Sequence, residues 1–314
     1  MSKRSYDVVL YGASGFVGKQ TVQYFASHAT SESVRWAIAG RNRQKLEAIR
    51  DEIGATTDVL VADSQDQQAI DAIVSQTRVV LSTAGPFALY GNALVDACVR
   101  FKTHYVDITG ETPWMRTLID RYHTQAALDG TRIIPCCGFD SVPSDLGTYL
   151  MVRHIQQALH LPCQQVNAYF QAAGGFNGGT LASAFNLYDS QGLMQMNEPF
   201  LLNPSQNQTQ AQIVYPEGGT ASQRNRDPQL PSFDPDLNTW IAPFFMAPVN
   251  TRIVRRSSAL FEEWQESYGA DFTYQEYLKL DEPLAGLKAV SLTTGLALLV
   301  GVLQQPVLRS LLQP

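Results

Sequence analysis

The feature that most constrains the fold is a strand-like run near the N-terminus that ends in three closely spaced glycines. Residues 6–18 read YDVVLYGASGFVG, and helix-forming residues follow at once. Gly12 permits a tight turn, Gly15 leaves the backbone open to a pyrophosphate, and Gly18 lets the helix pack closely on the strand. The helix N-terminus offers free N–H groups and a positive dipole end to phosphates. The alternative is a tight strand-to-helix turn that binds nothing.

Short β-branched runs alternate with helical patterns over the first half of the chain. The strand-like runs are 8–11, 34–39, 59–62, 79–83, 104–108 and 132–136. The helical patterns between them are 15–25, 43–53, 67–74, 91–101 and 113–128. Strands that alternate with helices predict a parallel sheet covered by helices. We therefore predict an α/β fold with a six-stranded, doubly wound parallel sheet of the Rossmann type.

The alternation stops near Leu146, which predicts two domains. The first, at 1–146, is the Rossmann domain, and the second, at 147–314, is an α+β domain. Within the second domain, 203–238 is rich in Pro, Gly, Asn, Gln and Ser, and we predict a long loop there.

An apolar helix is predicted at 287–312, close to the C-terminus. Its residues 289–303 carry no charge, but this stretch is shorter than the roughly 20 apolar residues of a membrane span. Two interpretations remain open: a buried helix, and an interfacial helix that touches a membrane and is flanked by Lys288 and Arg309.

Composition excludes several classes of protein. The chain has 314 residues, of which 45% are hydrophobic and 17% charged, so it can bury a large core and is not intrinsically disordered. With 23 basic and 29 acidic side chains, a net charge of −6 argues against a nucleic-acid-binding protein. The four cysteines have no zinc-like spacing, and no metal site is predicted. Reduced thiols, together with an N-terminal apolar stretch too short for a signal peptide, predict a cytoplasmic protein. The cysteines are Cys98, Cys136, Cys137 and Cys163, and Cys136 and Cys137 are interpreted as core thiols.

The end of the second predicted strand indicates which nucleotide binds. Arg41 stands where an NAD enzyme carries a carboxylate for the ribose 2′-hydroxyl, and a guanidinium suits a 2′-phosphate instead. This favours NADP(H) over NAD(H), the alternative being a solvated arginine that opens a helix. Asp63, after the third strand, is either an acceptor for the adenine amine or a helix-capping residue.

The fourth predicted strand ends in a loop of small residues. We expect Gly85, Pro86 and Phe87 to let the nicotinamide half of a dinucleotide approach the sheet edge, since ligands bind beyond the carboxyl ends of the strands. A plain turn is the alternative. Tyr90, shortly afterwards, is a candidate proton donor, although an aromatic residue beside a glycine turn is more often a packing residue.

Polar residues also follow the fifth and sixth strands. Asp107 and Glu111 are candidates for holding a substrate or steering a proton, against the alternative that Asp107 or Thr109 satisfies loop backbone groups. Asp140 and Ser141 are candidates for substrate binding, against the alternative that they cap the following helix.

Five segments carry a resemblance to a known family. YGASGFVG, AGRN, TAGPFALYG, YVDITGE and GFDSVPSDLG together resemble the saccharopine dehydrogenase-like oxidoreductases, which include the bacterial trans-acting enoyl reductases of lipid assembly. The resemblance resumes at Gly179 and Thr180, which we expect to contact substrate. Because members of the family continue past a segment like 307–314, this chain is expected to be shortened at its C-terminus. The resemblance implies NADP binding, with Arg41 at the ribose phosphate and a pyrophosphate site formed by Gly12, Ser14, Gly15, Phe16, Val17 and Gly18.

Three hypotheses for function follow. The leading one is an NADP(H)-dependent oxidoreductase that reduces a double bond in a lipid-linked or carrier-bound substrate, with a role in glycolipid biosynthesis. The alternatives are an imine or amino-acid oxidoreductase of the saccharopine type, and a non-catalytic, nucleotide-binding, lipid-associated protein. The expected partners are a small-molecule or lipid-linked substrate, a second copy in a homodimer, and a membrane contacted peripherally through 289–303.

Overall fold

The computed structural model describes residues 4–29, 34–171, 195–204, 220–281 and 283–305. The chain divides into two compact units, and among the described residues the first runs through Gly138 and the second begins at Phe139. Residues 139–146 group with the second unit because residues 142–146 begin a helix that packs against another helix of that unit, whereas the sequence-based boundary assigned them to the first domain.

The first unit is built on a six-stranded sheet in which all pairings are parallel. Its strands are β1 (Tyr6–Tyr11), β2 (Trp36–Gly40), β3 (Asp58–Val61), β4 (Thr77–Ser82), β5 (His104–Asp107) and β6 (Ile133–Ile134). The strand order is β3-β2-β1-β4-β5-β6, which is the order of the Rossmann fold. The predicted fold is confirmed, although β6 is shorter than the run at 132–136.

The helices of the first unit connect consecutive strands. They are α1 (Phe16–His28), α2 (Arg43–Ile53), α3 (Gln67–Val74), α4 (Phe87–Tyr90), α5 (Asn92–Arg100) and α6 (Thr112–Asp129). Asn42 starts α2 by accepting the Lys45 N–H at 3.0 Å, and Gly54 ends it in the left-handed conformation at φ 68°. A hydrophobic core cluster joins β1 and β2 to α1 and α2. It is formed by Leu10, Ala13, Val22, Trp36, Ile38 and Leu46.

The second unit holds a smaller, mixed sheet, as the α+β prediction anticipated. Its elements are α7 (Val142–Leu159), β7 (Gln165–Phe170), α8 (Ala221–Arg224), β8 (Ser232–Asp234), β9 (Thr239–Pro243), α9 (Ala247–Glu263), β10 (Thr273–Leu280) and α10 (Ala285–Gln304). The order is β7-β10-β9-β8, with β7 parallel to β10 and the other pairs antiparallel. Part of the segment predicted as a long loop, 203–238, is therefore regular structure. Residues 205–219 lie outside the described residues.

Buried charge organises this unit around α9. Arg252 is 1% exposed and pairs with Asp227, and it also donates to the backbone carbonyls of Met196 and Glu198. A buried charge is costly unless it is paired and hydrogen-bonded. These contacts therefore attach the segment that contains Met196 and Glu198 to helix α9.

The helix α10 covers most of the predicted apolar helix at 287–312, and residues 306–314 lie outside the described residues. Gly286 lets α10 approach the sheet, because a Cβ there would lie 2.8 Å from the Trp240 ring. The stretch Ala285–Leu303 is long and apolar enough to cross a membrane by length and composition, with a mean hydropathy of 1.8. Only 11% of that window is buried, so a buried core helix does not describe it.

Candidate functional site

The glycine loop has the geometry that the sequence predicted for a phosphate site. Gly12 adopts φ 87°, and a Cβ on Gly18 would overlap the Gly12 carbonyl oxygen, so neither position accepts a side chain. At Gly15 a Cβ would meet only that same oxygen, at 3.4 Å. Gly15 precedes α1, and no side chain caps this helix. The exposed Gly15 backbone and the uncapped helix N-terminus fit the pyrophosphate of a dinucleotide.

The other predicted phosphate ligands lie on the same turn. Ser14 and Phe16 are exposed, and Val17 is half-buried in the first turn of α1. The Phe16 side chain is 68% exposed, which is unusual for a large apolar residue. The loop therefore presents its backbone amides on an open surface.

Arg41 and Asp63 lie together around Tyr11 at the carboxyl end of the sheet. Burial first, and then the charge of Asp63, raises the pKa of Tyr11 to about 12, whereas the charge of Arg41 acts in the opposite direction. Arg41 is exposed, and within the described part of the chain no ion pair engages it. The Asp63 carboxylate accepts the Gln65 N–H at 3.0 Å, while Asp66 caps α3. Asp63 thus shapes a turn and does not cap a helix, and Arg41 remains available to a phosphate.

The loop after β4 lies directly against the glycine loop. Thr83 donates its N–H to the Tyr11 carbonyl at 2.8 Å and its hydroxyl to the Gly12 carbonyl at 3.1 Å. A Cβ on Gly12 would be 2.8 Å from the Ala84 nitrogen. The residues predicted for the nicotinamide half follow: Gly85 is exposed, Pro86 precedes α4, and Phe87 is buried as the first residue of α4.

Asp107 is buried at the end of β5, with 1% of its surface exposed. One carboxylate oxygen accepts the N–H groups of Thr109 at 3.0 Å and Cys136 at 3.1 Å, and the other accepts the Tyr105 hydroxyl at 2.9 Å. Burial raises the pKa of Asp107 to about 6, although these hydrogen bonds favour the charged form. The backbone-satisfying alternative that the sequence left open therefore describes its contacts.

A cavity of about 180 Å³ opens at the carboxyl ends of β4 and β5, and among the residues that the structure describes Asp107 is the one carboxyl that lines it. Because Thr83 both lines the cavity and bonds to Gly12, the cavity adjoins the glycine loop. Cys137 also lines it and is exposed, so the interpretation of Cys137 as a core thiol is wrong, whereas Cys136 is buried. The described residues that line the cavity are Thr21, Leu81, Thr83, Val106, Asp107, Ile108 and Cys137.

Sequence reasoning missed Thr21 and Thr83 as members of this site. Thr83 ends the fourth predicted run, so its place at a ligand-binding edge was the available signal. Thr21 lies on α1, ten residues beyond Tyr11 at the end of β1, and nothing in the sequence aligns it with β4 and β5.

Glu111 is buried between β5 and α6 and is not one of the residues that line the cavity. Its carboxylate accepts the N–H groups of Phe87 at 2.8 Å and Ala88 at 2.9 Å. These contacts give Glu111 a structural role at α4, and they offer no support for the catalytic role predicted from the sequence. Tyr90 is the last residue of α4 and is half-buried.

The predicted substrate residues Asp140 and Ser141 belong to the second unit. Ser141 is 3% exposed and donates its hydroxyl to Asn250 at 2.9 Å, and the Asp140 carbonyl accepts from Asn250 at 2.8 Å. The hydroxyl of Ser141 is thereby committed to α9, which argues against direct substrate contact, while the Asp140 side chain is exposed. Gly179 and Thr180 lie outside the described residues.

Asn250 links this segment to a buried carboxyl on β10. It donates to Glu276 at 3.1 Å, and the Tyr274 hydroxyl donates to the same carboxyl at 2.7 Å. Glu276 is fully buried, and burial raises its pKa. The start of α7 is therefore held by an internal polar network.

Comparisons with known proteins agree with this geometry. Residues 8–134 match the saccharopine dehydrogenase NADP-binding domain. The chain is 38% identical over 292 residues to a putative trans-acting enoyl reductase of Mycobacterium tuberculosis, covering 88% of this chain and 66% of that protein. It is 34% identical over 306 residues to a trans-acting enoyl reductase of Mycobacterium ulcerans, covering 94% and 70%. The chain thus spans about two thirds of the length of these relatives.

Among solved structures, the apo saccharopine dehydrogenase (L-Glu forming) of Saccharomyces cerevisiae matches 66% of this chain and 40% of its own, at 20% identity and a TM-score of 0.41. The family of this chain is identified from the curated relatives and the domain match, and not from this structural similarity. The domain match also confirms the predicted NADP(H) class of cofactor. With 34% identity over 94% of its length, the chain belongs to the trans-acting enoyl reductase family of saccharopine dehydrogenase-like, NADP-dependent oxidoreductases.

Proposed function

We propose that this protein uses NADPH to reduce the carbon–carbon double bond of an enoyl group held on a carrier or a lipid. NADPH binding is supported by one observation: the open Gly15 backbone lies beside an uncapped α1, and the exposed Arg41 lies at the end of β2. The names of the relatives support reduction of an enoyl double bond as the reaction. A lipid-linked acceptor would place the reaction in glycolipid assembly.

The residues of the first unit would divide the work along the bound dinucleotide. The amides that open α1 would bind the pyrophosphate, and Arg41 would pair with the 2′-phosphate. Thr83 and Asp107 would border the nicotinamide end, because they line the cavity that adjoins the glycine loop. When bound, the reduced nicotinamide supplies a hydride for the β-carbon of the enoyl group.

The α-carbon of the acceptor needs a proton, and Tyr90, Asp107 and Glu111 stay predicted sources of it. Asp107 lines the cavity and, with a pKa near 6, holds a proton more readily than an ordinary aspartate. Tyr90 has a hydroxyl that makes no hydrogen bond within the described part of the chain. The Glu111 oxygens are both engaged by backbone N–H groups.

The test is stopped-flow absorbance of NADPH after addition of an enoyl thioester. We expect one NADPH consumed for each double bond reduced, and no consumption with a 2-oxo acid and an amine, the substrates of imine chemistry. Gly15→Val is the control, because the extended backbone at Gly15 (φ −78°) accepts valine without strain while the side chain would block the pyrophosphate. NADPH that binds but is never consumed by any enoyl acceptor would favour the non-catalytic alternative.

We further propose that α10 rests on a lipid surface, which makes the protein peripheral to a membrane on its cytoplasmic side. Leu287 is 63% exposed and Leu298 66% exposed, and their spacing of eleven residues puts both on one side of the helix. Lys288 is the only charged residue in Ala285–Leu303. An outward face of a surface helix is ordinarily polar, so this one suits a lipid environment. The predicted homodimer stays a prediction.

Sedimentation with anionic phospholipid vesicles tests this proposal. Leu287→Glu with Leu298→Glu should shift the protein from the pellet to the supernatant, since burying each leucine contributes about 1.5–3 kcal/mol. Leu128→Glu on α6 is the matched control, because Leu128 is 79% exposed and belongs to the first unit. Equal sedimentation of the double variant and the wild type would remove α10 from the lipid contact.

A further inference from the structure

The segment that follows β4 is anchored at its start by the glycine loop. Thr83 bonds through its N–H to Tyr11 and through its hydroxyl to Gly12, and Ala84 lies against Gly12 with no room for a Cβ between them. Residues 83–84 therefore have a fixed position relative to the loop that would bind the pyrophosphate.

The same segment is anchored at its end by Glu111. The first N–H groups of a helix have no partner within it, and Pro86, which precedes α4, provides no side-chain acceptor. Glu111 supplies both acceptors, one carboxylate oxygen for Phe87 at 2.8 Å and the other for Ala88 at 2.9 Å. The Glu111 side chain is buried, and the hydrogen bonds are short, as expected for a charged acceptor.

Glu111 is itself held by its own connection. Its N–H donates to the Thr109 hydroxyl at 3.1 Å, and its carbonyl accepts the Met115 N–H at 3.1 Å in the first turn of α6. The carboxylate is thus carried by backbone that is fixed on both sides, at the end of β5 and at the start of α6.

We infer that Glu111 is a positioning residue for the nicotinamide half of the dinucleotide. Gly85 and Pro86 form the short span between the two anchors, so the Glu111 carboxylate determines where this span lies relative to Gly12. Glu111 acts through the backbone of Phe87 and Ala88. The inference rests on the proposed dinucleotide binding, with the nicotinamide lying against the Gly85–Phe87 backbone.

Two substitutions of Glu111 change the charge of its side chain and the length of its side chain separately. Glu111→Gln keeps the length but replaces one acceptor by an amide donor that faces a backbone N–H. Glu111→Asp keeps the charge but is one methylene shorter, so it cannot reach both N–H groups from the same backbone. If Glu111 acts by holding the Gly85–Pro86 span in place, the span loses its position in both variants.

The experiment compares NADPH with adenosine 2′,5′-bisphosphate, which carries the adenosine end and the 2′-phosphate but no nicotinamide. We expect the Kd for NADPH to rise about tenfold or more in both variants, because the Gly85–Pro86 span is no longer held in the position that binds the nicotinamide half. The Kd for the bisphosphate should not change. Glu52→Gln is the matched control, because Glu52 forms an exposed pair with Lys19 and should leave both affinities unchanged. Thermal melting of each variant verifies folding.

Unchanged NADPH affinity in folded Glu111 variants would overturn the inference, as would an equal loss for both ligands, which indicates a general loosening of the unit. A wild-type protein that binds neither ligand would refute the proposed function, and the inference with it. If the variants do not fold, hydrogen exchange of the wild type decides. The Phe87 and Ala88 amides should be protected, and exchange at the rate of unstructured amides would overturn the inference.

Discussion

Replacing Asp107 by Asn should change how the stability of the protein depends on pH. In the folded chain Asp107 has a pKa of about 6, raised mainly by burial, against 3.8 for an ordinary aspartate. Asn preserves the shape: its oxygen accepts the Thr109 and Cys136 N–H groups, and its NH₂ faces the Tyr105 hydroxyl, which can accept in place of donating. The substitution therefore removes the titration and leaves the packing.

The size of the effect follows from the two pKa values. A difference of about 2 pKa units corresponds to about 3 kcal/mol. Because the folded state binds the proton more tightly, the contribution of Asp107 to stability is complete below pH 4 and is lost as pH rises to about 6. About 2 kcal/mol of this loss falls between pH 4.5 and pH 8. The Asn variant should gain that amount relative to wild type over the same interval.

Urea unfolding followed by tryptophan fluorescence, repeated from pH 4.5 to pH 8, measures the difference. Other buried carboxyls with raised pKa, such as Glu276 and Asp145, occur in both proteins and cancel in the comparison. Tyr105→Phe provides a second check: it removes a hydrogen bond that lowers the pKa of Asp107, so the loss should extend to higher pH. A stability difference between wild type and Asn variant that stays constant across this range would refute the reasoning.

Four further results are expected. Arg41→Ala should abolish a preference for NADPH over NADH of roughly 10–100-fold and leave NADH affinity nearly unchanged, as measured by titrating both nucleotides. Gly18→Ala should fail to give folded protein, because its Cβ would overlap the Gly12 carbonyl, whereas Gly147→Ala, with open space on α7, should raise the melting temperature. Asn250→Ala should destabilise the second unit in urea unfolding by about 1–3 kcal/mol, since it removes a hydrogen bond to the buried Glu276 carboxyl and the acceptor of the buried Ser141 hydroxyl. Tyr90→Phe should lower kcat for an enoyl acceptor without changing the Kd for NADPH, and an unchanged kcat would exclude the Tyr90 hydroxyl as the proton donor.

The first unit was predictable because its signals are local. Alternating strand and helix patterns fix the order of elements, and the right-handed crossover fixes how parallel strands connect. Residue type and position along the chain were enough to predict the roles of the glycines at 12, 15 and 18 and of the arginine at 41. A loop of small residues was expected after the fourth strand, with a plain turn as the alternative. The short helix α4 begins within that segment, and an acceptor 24 residues away satisfies its first N–H group.

The second unit was less predictable because its contacts are distant in sequence. Strand β7 pairs with β10 in parallel, with Thr273 opposite Gln165. Arg252 lies on a helix whose other buried residues are mostly apolar or small, yet it is almost completely buried. Only the approach of Asp227 and the carbonyls of the preceding segment makes that burial favourable. Nothing in the spacing of the arginines identifies those partners.

Carboxylates at the end of a strand illustrate why residue type alone does not assign a catalytic role. Asp107 ends β5 and Glu111 follows it, at the edge where a ligand should bind, and both were candidates for holding a substrate or steering a proton. The Glu111 oxygens accept the N–H groups of residues 87 and 88. One Asp107 oxygen accepts the N–H groups of residues 109 and 136, and the other accepts the Tyr105 hydroxyl. A Rossmann sheet must hold several loops open at the edge where its ligand enters, and buried carboxylates can satisfy many amides there at once. The same edge therefore selects acidic residues for architecture and for chemistry, and only the hydrogen-bond partners of each oxygen distinguish the two.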